Sequence, residues 1–211
     1  MAQASRILIA LPAAVIAFAA LASCGSEGGN KAGSEGKAGT ATPAAQASKL
    51  FPDDFKGVCS GASVSTAKAY DSKAAPHKAL YFETYKDDLS DRSSSLPPDW
   101  TVQFSPDRDA MQAVDLVACA RRTAAQEVKV CDGYKDNDKP LPNKVRWHTA
   151  TYQLSVWEAR TGKKLGETTA EATDADCPMF MSFDNDTPIV DDYASLSDTA
   201  VADFLRPYMT R

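Results

Sequence analysis

VDLVACARRTAAQEVKVC, from Val114 to Cys131, is the stretch on which the fold turns. In its first half Val114, Leu116, Ala118 and Ala120 fall on one face of an extended chain, and Glu127-Val128-Lys129-Val130-Cys131 alternates polar and apolar with Val128 and Val130 expected inward. Folding the two halves about Ala125 predicts an antiparallel hairpin. In that register Cys119 faces Cys131, and Arg121 is set against Lys129, a like-charge pair.

Outward from this stretch, more strands are legible. Ala79-Leu80-Tyr81-Phe82-Glu83-Thr84-Tyr85 precedes a charged turn and reads as extended. Thr149 to Ala159 alternates, with Ala150, Tyr152, Leu154 and Val156 on one face. Thr161-Gly162 interrupts the alternation and Lys164 to Ala172 resumes it, a hairpin signal because glycine accepts positive φ at low cost. Near the C-terminus Ser197 can cap a helix and Asp198 sits at the positive end of its dipole. Val201, Phe204, Leu205 and Tyr208 recur at helical spacing and Pro207 limits the length. The fold class expected is α+β, a mostly antiparallel sheet with a C-terminal helix.

The N-terminus carries a different kind of information. Arg6 precedes the apolar run Ile7 to Ala22, whose helix would rise about 24 Å at roughly 1.5 Å per residue, short of the roughly 30 Å hydrocarbon core of a bilayer. The run ends in Leu21-Ala22-Ser23-Cys24, which resembles the lipobox of bacterial lipoproteins: an aliphatic residue, two small residues, then cysteine. The resemblance implies a signal peptide over residues 1–23, cleaved before Cys24, and a diacylglycerol on the Cys24 thiol. Two acyl chains anchor stably where one binds only marginally. Residues 24–49 are Gly, Ser, Ala and Thr with a few charges and lack large apolar side chains until the domain begins, so they read as a flexible tether. Residues 50–211 are enough for a single extracytoplasmic domain with a core of its own.

With Cys24 assigned to lipid, Cys59, Cys119, Cys131 and Cys177 remain, an even set in an oxidising compartment, and two disulfides are expected. The hairpin register favours Cys119 with Cys131 among the possible connectivities, leaving Cys59 to join Cys177. That long closure would contribute on the order of 4 kcal/mol in the chain-entropy model. A zinc site would need paired short Cys spacings or accompanying histidines, and neither is present. No metal and no cofactor are expected.

The net charge of −5 disfavours nucleic acid and anionic polymers as partners. Only two histidines occur, His77 and His148, in different contexts and with no serine in a nucleophile-elbow pattern, and both read as structural. Asp132 to Asp138 is an acidic loop whose oxygens miss EF-hand spacing; Asp174-Ala175-Asp176 and Asp184-Asn185-Asp186 read as solvated in the same way. Trp100, Trp147 and Trp157, with Tyr70, Tyr81, Tyr85 and Tyr152, either stack a ligand or fill the core, the core role being favoured. Trp157 shares alternation parity with Trp147, opposite to the Tyr152 face. No catalytic residue is assigned, and the chain is read as a non-enzyme.

Several short matches then carry a wider resemblance: Val58-Cys59-Ser60-Gly61, Ala69-Tyr70-Asp71 and His77, Leu116-Val117-Ala118-Cys119, Val130-Cys131-Asp132-Gly133-Tyr134, Glu158-Ala159-Arg160-Thr161-Gly162-Lys163 and Asp176-Cys177-Pro178. On these the domain resembles a group of secreted or lipid-anchored actinobacterial, streptomycete-like lipoproteins. The resemblance implies fold and disulfides and transfers no active site. In class, size and anchoring the chain is also similar to lipoproteins that negatively regulate the sigma-E cell-envelope stress system. The function expected is a non-enzymatic binding or regulatory lipoprotein, held to the cell membrane by lipid on Cys24 and contacting an envelope protein. A solute-binding lipoprotein with an aromatic cleft, or an envelope hydrolase with converging carboxylates, stands as the alternative.

Overall fold

The computed structural model describes residues 49–103, 105, 109–183 and 187–210. The signal peptide, Cys24, all of the tether except Lys49, and Asp184-Asn185-Asp186 lie outside the described residues. The strands are β1 (Ala79–Tyr85), β2 (Asp88–Asp91), β3 (Leu116–Cys131), β4 (Lys135–Asp136), β5 (Lys139–Pro140), β6 (Lys144–Glu158), β7 (Lys164–Ala172) and β8 (Ile189–Tyr193), followed by the helix α1 (Asp198–Met209). The main sheet runs β2-β1-β3-β6-β7, with β8 also paired to β6, and β4-β5 form a separate small hairpin. Pairing is antiparallel in β1–β2, β3–β6 and β6–β7, and parallel in β1–β3 and β6–β8. The fold is therefore α+β and rich in antiparallel sheet.

The hairpin about Ala125 does not form. Residues Leu116 to Cys131 are one continuous strand of 16 residues, matched antiparallel along 15-residue β6. The reason is local: Arg121 to Gln126 contains no Gly, Pro, Asn or Asp to supply turn conformations. The strand absorbs its irregularity instead as register shifts at Thr123 and Val128, and bulges of this kind bend a strand without ending it. Arg121 lies opposite Gln153, not Lys129, and its guanidinium donates to the Cys59 carbonyl and the Ser60 hydroxyl.

The disulfides follow from that strand. Twelve residues of extended chain hold Cys119 and Cys131 about 40 Å apart at roughly 3.3 Å per residue, whereas bridged Cα atoms lie within about 7 Å. The bonds are Cys59–Cys119 and Cys131–Cys177, with Cα separations of 5.7 Å and 5.8 Å. The expected pairs Cys119–Cys131 and Cys59–Cys177 are thus replaced, while all four cysteines are bridged as anticipated.

Two apolar clusters sandwich the sheet. On one face Ala79 and Tyr81 of β1, Leu116 and Ala118 of β3, and Tyr152 and Leu154 of β6 meet Val201, Leu205 and Met209 of α1. On the other, Leu80, Phe82, Val117 and Cys119 pack under Phe55, Val58 and Cys59 of the 3₁₀ segment Pro52–Ser60. Both faces of β1 are covered, which is why it reads as a nearly unbroken apolar run. In α1 the Ser197 hydroxyl accepts from the Ala200 N–H at 3.2 Å, and the helix continues past Pro207 to Met209. Gly162 has φ +69° at the β6–β7 turn and sits against the Gly61 carbonyl, leaving no room for a Cβ.

Trp147 and Trp157 do not share a face. Trp147 joins the Tyr152 cluster and Trp157 packs against the other. β6 changes neighbour between them, from β8 along Lys144–His148 to β7 from Ala150, and the Val128 bulge opposite adds local twist.

One buried carboxylate ties the starts of β1 and β3 together. Asp115 is fully buried; its Oδ1 accepts the Lys78 N–H at 2.9 Å, and its Oδ2 lies 2.8 Å from His77 Nδ1 and 3.1 Å from Lys68 Nζ. The Asp115 and Leu116 N–H groups both donate to the Lys78 carbonyl. Removing this acceptor strands three donors in or beside the core. Asp115→Ala is expected to lower the unfolding free energy in urea by about 3–5 kcal/mol; a loss under about 1 kcal/mol would show that the parallel pair does not depend on it.

Candidate functional site

The residues singled out from sequence do not assemble into one site. His77 is buried against Asp115 and beside the Tyr70 ring, with centroids 4.7 Å apart, and among the described residues its Nε2 has no hydrogen-bond partner. A Ser-His-Asp arrangement would need a hydroxyl at that nitrogen. His148 lies on β6, its Nε2 2.9 Å from Asp191 and its ring stacked on Tyr193 at 4.8 Å. Asp174 accepts the Trp147 indole N–H through its carbonyl and the Asp176 N–H through its side chain. The acidic stretch Asp132 to Asp138 is largely exposed and contains β4, which Asn137 and Asp138 at positive φ turn into β5. Tyr81 and Tyr152 are core residues, Tyr85 is exposed, and Trp100 packs at the edge of the core. Among the described residues no group of His, Cys, Asp or Glu is placed to hold a metal ion, and no helix is long and apolar enough to cross a membrane.

What does converge is a set of side chains on neighbouring strands. A cleft of about 320 Å³ opens where the core face of the sheet runs out beyond α1, and Glu83, Arg92, Arg122, Trp147, Asp192 and Tyr193 line it. Glu83 sits two residues beyond Tyr81 on the inward parity of β1, so the strand alternation carries a carboxylate to the end of the core. It is only 4% exposed and accepts a hydrogen bond from the Tyr81 hydroxyl. Thr84 turns β1 toward Arg122: its hydroxyl donates to the Ala120 carbonyl and accepts the Arg122 N–H. The Arg122 guanidinium donates to the Lys86 carbonyl at 2.6 Å and lies 3.4 Å over the Tyr193 ring, whose other packing partner is His148.

The buried charge leaves its mark on the phenols. Burial, then the Glu83 charge and hydrogen bond, hold the Tyr81 hydroxyl far above its ordinary pKa. Burial and Glu83 push Tyr152 up to about 12, with Arg122 opposing them, and the Tyr152 hydroxyl donates to the Ala194 carbonyl at 3.0 Å. Both phenols therefore stay protonated donors. The sequence offered one sign of this site, a glutamate at an inward position of an otherwise apolar strand; Arg92, Arg122 and Asp192 reach the cleft only through the strand order.

A second feature stands at the far end of β3. The Cys131–Cys177 bond pins the segment Pro178-Met179-Phe180-Met181 beside β3, and Met179 and Phe180 are 84% and 87% exposed. A groove of about 530 Å³ runs between this segment and Asp132 to Lys135. Val128 and Val130, expected to face inward, are exposed as well, on the part of β3 that runs beyond its pairing with β1. Beyond Ala120, β3 pairs with β6 alone, so its other edge is open, broken by the two bulges and by Lys129.

No family model, curated protein or solved structure matches the chain.

Asp191 and Asp192, adjacent in β8, have opposite electrostatics. Burial pushes Asp191 up, but hydrogen bonds and charge from His148 and Arg146 outweigh it and hold the carboxyl below the usual range. Burial pushes Asp192 up, and the Tyr193 N–H, Arg122 and Lys86 offset only part of that. A carboxyl lowered on folding stabilises above its unfolded pKa, and this is lost as pH falls through the folded value. A raised carboxyl penalises the folded state at neutral pH, and the penalty lifts as pH falls through its folded value. In urea melts at neutral pH, Asp191→Asn is expected to destabilise by up to about 1 kcal/mol after solvent screening and Asp192→Asn to stabilise, both differences closing in acid. Shifts of the same sign would contradict this.

Proposed function

We propose that the chain is a lipid-anchored extracytoplasmic protein that works by binding, docking an envelope protein through the Met179-Phe180 segment. The observation that carries this is the exposure of those two side chains on a segment pinned by a disulfide. Large apolar groups held out in water cost free energy unless a partner covers them, and contiguous exposed apolar surface marks interaction sites. Pinning to β3 through Cys131–Cys177 also lowers the ordering cost of docking.

Charge chooses the partner. Asp132, Asp136, Asp138, Asp174 and Asp176 flank the segment in sequence or across the disulfide, with Lys135 and Lys139 the nearby cations. Anionic lipid headgroups are repelled by such a rim, whereas an apolar pocket on a protein rimmed by basic residues is complementary to it. The lipobox resemblance at Cys24 supports the membrane address, and the tether of residues 24–49 has a root-mean-square reach of a few tens of Å at about 5–6 Å times the square root of its length. The extracellular domain of an envelope sensor lies within such a reach, and envelope-stress signalling is the process this assignment favours.

A photo-crosslinking residue placed at Phe180 in the full-length protein tests the proposal in intact cells. One envelope protein with an extracytoplasmic domain is expected to be captured, and Cys24→Ala, which removes the acyl acceptor, is expected to abolish both lipid labelling and the crosslink. Adducts to lipid alone, or equal capture from Thr169 on the exposed face of β7, would overturn it.

A further inference from the structure

The cleft beside Glu83 is separate from the Met179-Phe180 segment and calls for its own ligand. Glu83 is a buried carboxylate, and the Tyr81 hydroxyl donates to one of its two oxygens. Among the described residues no hydrogen bond or ion pair reaches its other oxygen, which is not one of the fully buried unpartnered atoms, and Glu83 lines the cleft. A buried carboxylate normally gathers several donors, as Asp115 does in this same sheet. Glu83 therefore has an open acceptor position that a ligand donor can fill.

The cations around it are of two kinds. Arg122 is committed to the Lys86 carbonyl and the Tyr193 ring, and Asp192 faces Arg122 and Lys86. Arg92 is different: it is exposed, lines the same cleft, and its guanidinium makes no hydrogen bond or ion pair with the described residues. A free fork of N–H donors is suited to a carboxylate, which it grips bidentately. The lining charges also balance, Glu83, Asp174 and Asp192 against Lys86, Arg92 and Arg122. A cleft so composed rejects a net cation or a net anion and accepts a molecule that carries both charges. Its volume of about 320 Å³ stands at the small end of ligand sites, and the aromatic residues Trp147 and Tyr193 are part of its lining.

We propose that this cleft binds a small zwitterion, an α-amino acid, with its ammonium group on the free oxygen of Glu83 and its carboxylate on Arg92. The side chain of the ligand lies toward Trp147 and Tyr193. Binding at Glu83 gives the buried carboxylate a second, charge-assisted donor, so the ammonium contact carries affinity and the Arg92 contact orientation.

Calorimetric titration of the full-length protein in detergent with the proteinogenic α-amino acids and D-alanine tests this. At least one is expected to bind with a Kd below about 1 mM, while its N-acetyl and methyl-ester forms, each lacking one charge, fail to bind. Glu83→Gln and Arg92→Met are each expected to weaken binding by about tenfold or more, and Lys163→Ala, away from the cleft, to leave it unchanged. Arg92 is exposed, so Arg92→Met keeps the test decisive should Glu83→Gln fail to fold. Absence of binding by any amino acid, binding indifferent to both substitutions, or binding of glucose or acetate in preference would overturn the proposal. None of these outcomes bears on the Phe180 crosslink.

Discussion

The antiparallel ladder between β3 and β6, running through two bulges from Leu116 opposite Glu158 to Cys131 opposite Val145, is the constraint from which the rest of the molecule follows. Its first part is buried on both faces, with β1 on its free edge and apolar clusters above and below. From Arg121 onward the strand's side chains are exposed, apart from half-buried Arg122, until Cys131 is buried again. One strand thus supplies both the centre of the domain and an arm projecting from it. Each end is fixed by a disulfide: Cys119 to the 3₁₀ segment over the core, Cys131 to the Met179-Phe180 segment at the tip. Either closed loop restricts the unfolded chain by about 4 kcal/mol in the entropy model; the first bond lies wholly within the core, and the second joins buried Cys131 to exposed Cys177.

Two buried carboxylates sit near opposite ends of β1, and their difference separates scaffold from site. Asp115 is saturated by the Lys78 N–H, His77 and Lys68. Such a group fixes register, because any slip of β1 against β3 would leave it unpaired in the core. Glu83 has the Tyr81 hydroxyl as its one hydrogen-bond donor among the described residues, and it lines the cleft. Around it Thr84 links β1 to β3, and Arg122, Tyr193, His148 and Asp191 form a packed polar row across three strands. The cleft therefore has rigid walls on strands and an unfilled acceptor at its floor.

Elements with a strong local signal were legible in the sequence. β1 occupies the extended apolar run before its charged turn and β7 the stretch its alternation marks, and the Ser197 cap and the apolar spacing of Val201, Leu205 and Tyr208 mark α1. The Val114–Cys131 stretch misleads because its apolar alternation fails over Arg121 to Gln126, and a polar gap between two alternating runs resembles a turn. What distinguishes a projecting strand from a turn is the absence of turn residues together with a partner of equal length, and that partner, β6, lies well downstream. The disulfide pairing inherits the same error. The cleft was largely hidden, since Glu83, Arg92, Arg122 and Asp192 come from separate stretches and meet only through a parallel β1–β3 and a parallel β6–β8 pairing. His77 and His148 read as structural, and each is held by an aspartate: Asp115 for the first, Asp191 for the second.

A continuous β3 is the claim on which the core, the cleft and the projecting segment all depend, and the cysteines report on it directly. Proteolysis of the non-reduced, alkylated protein followed by mass spectrometry of the linked peptides is predicted to recover Cys59 joined to Cys119 and Cys131 joined to Cys177. Recovery of a Cys119–Cys131 peptide would contradict it, since that bond needs the strand to fold back on itself near Ala125.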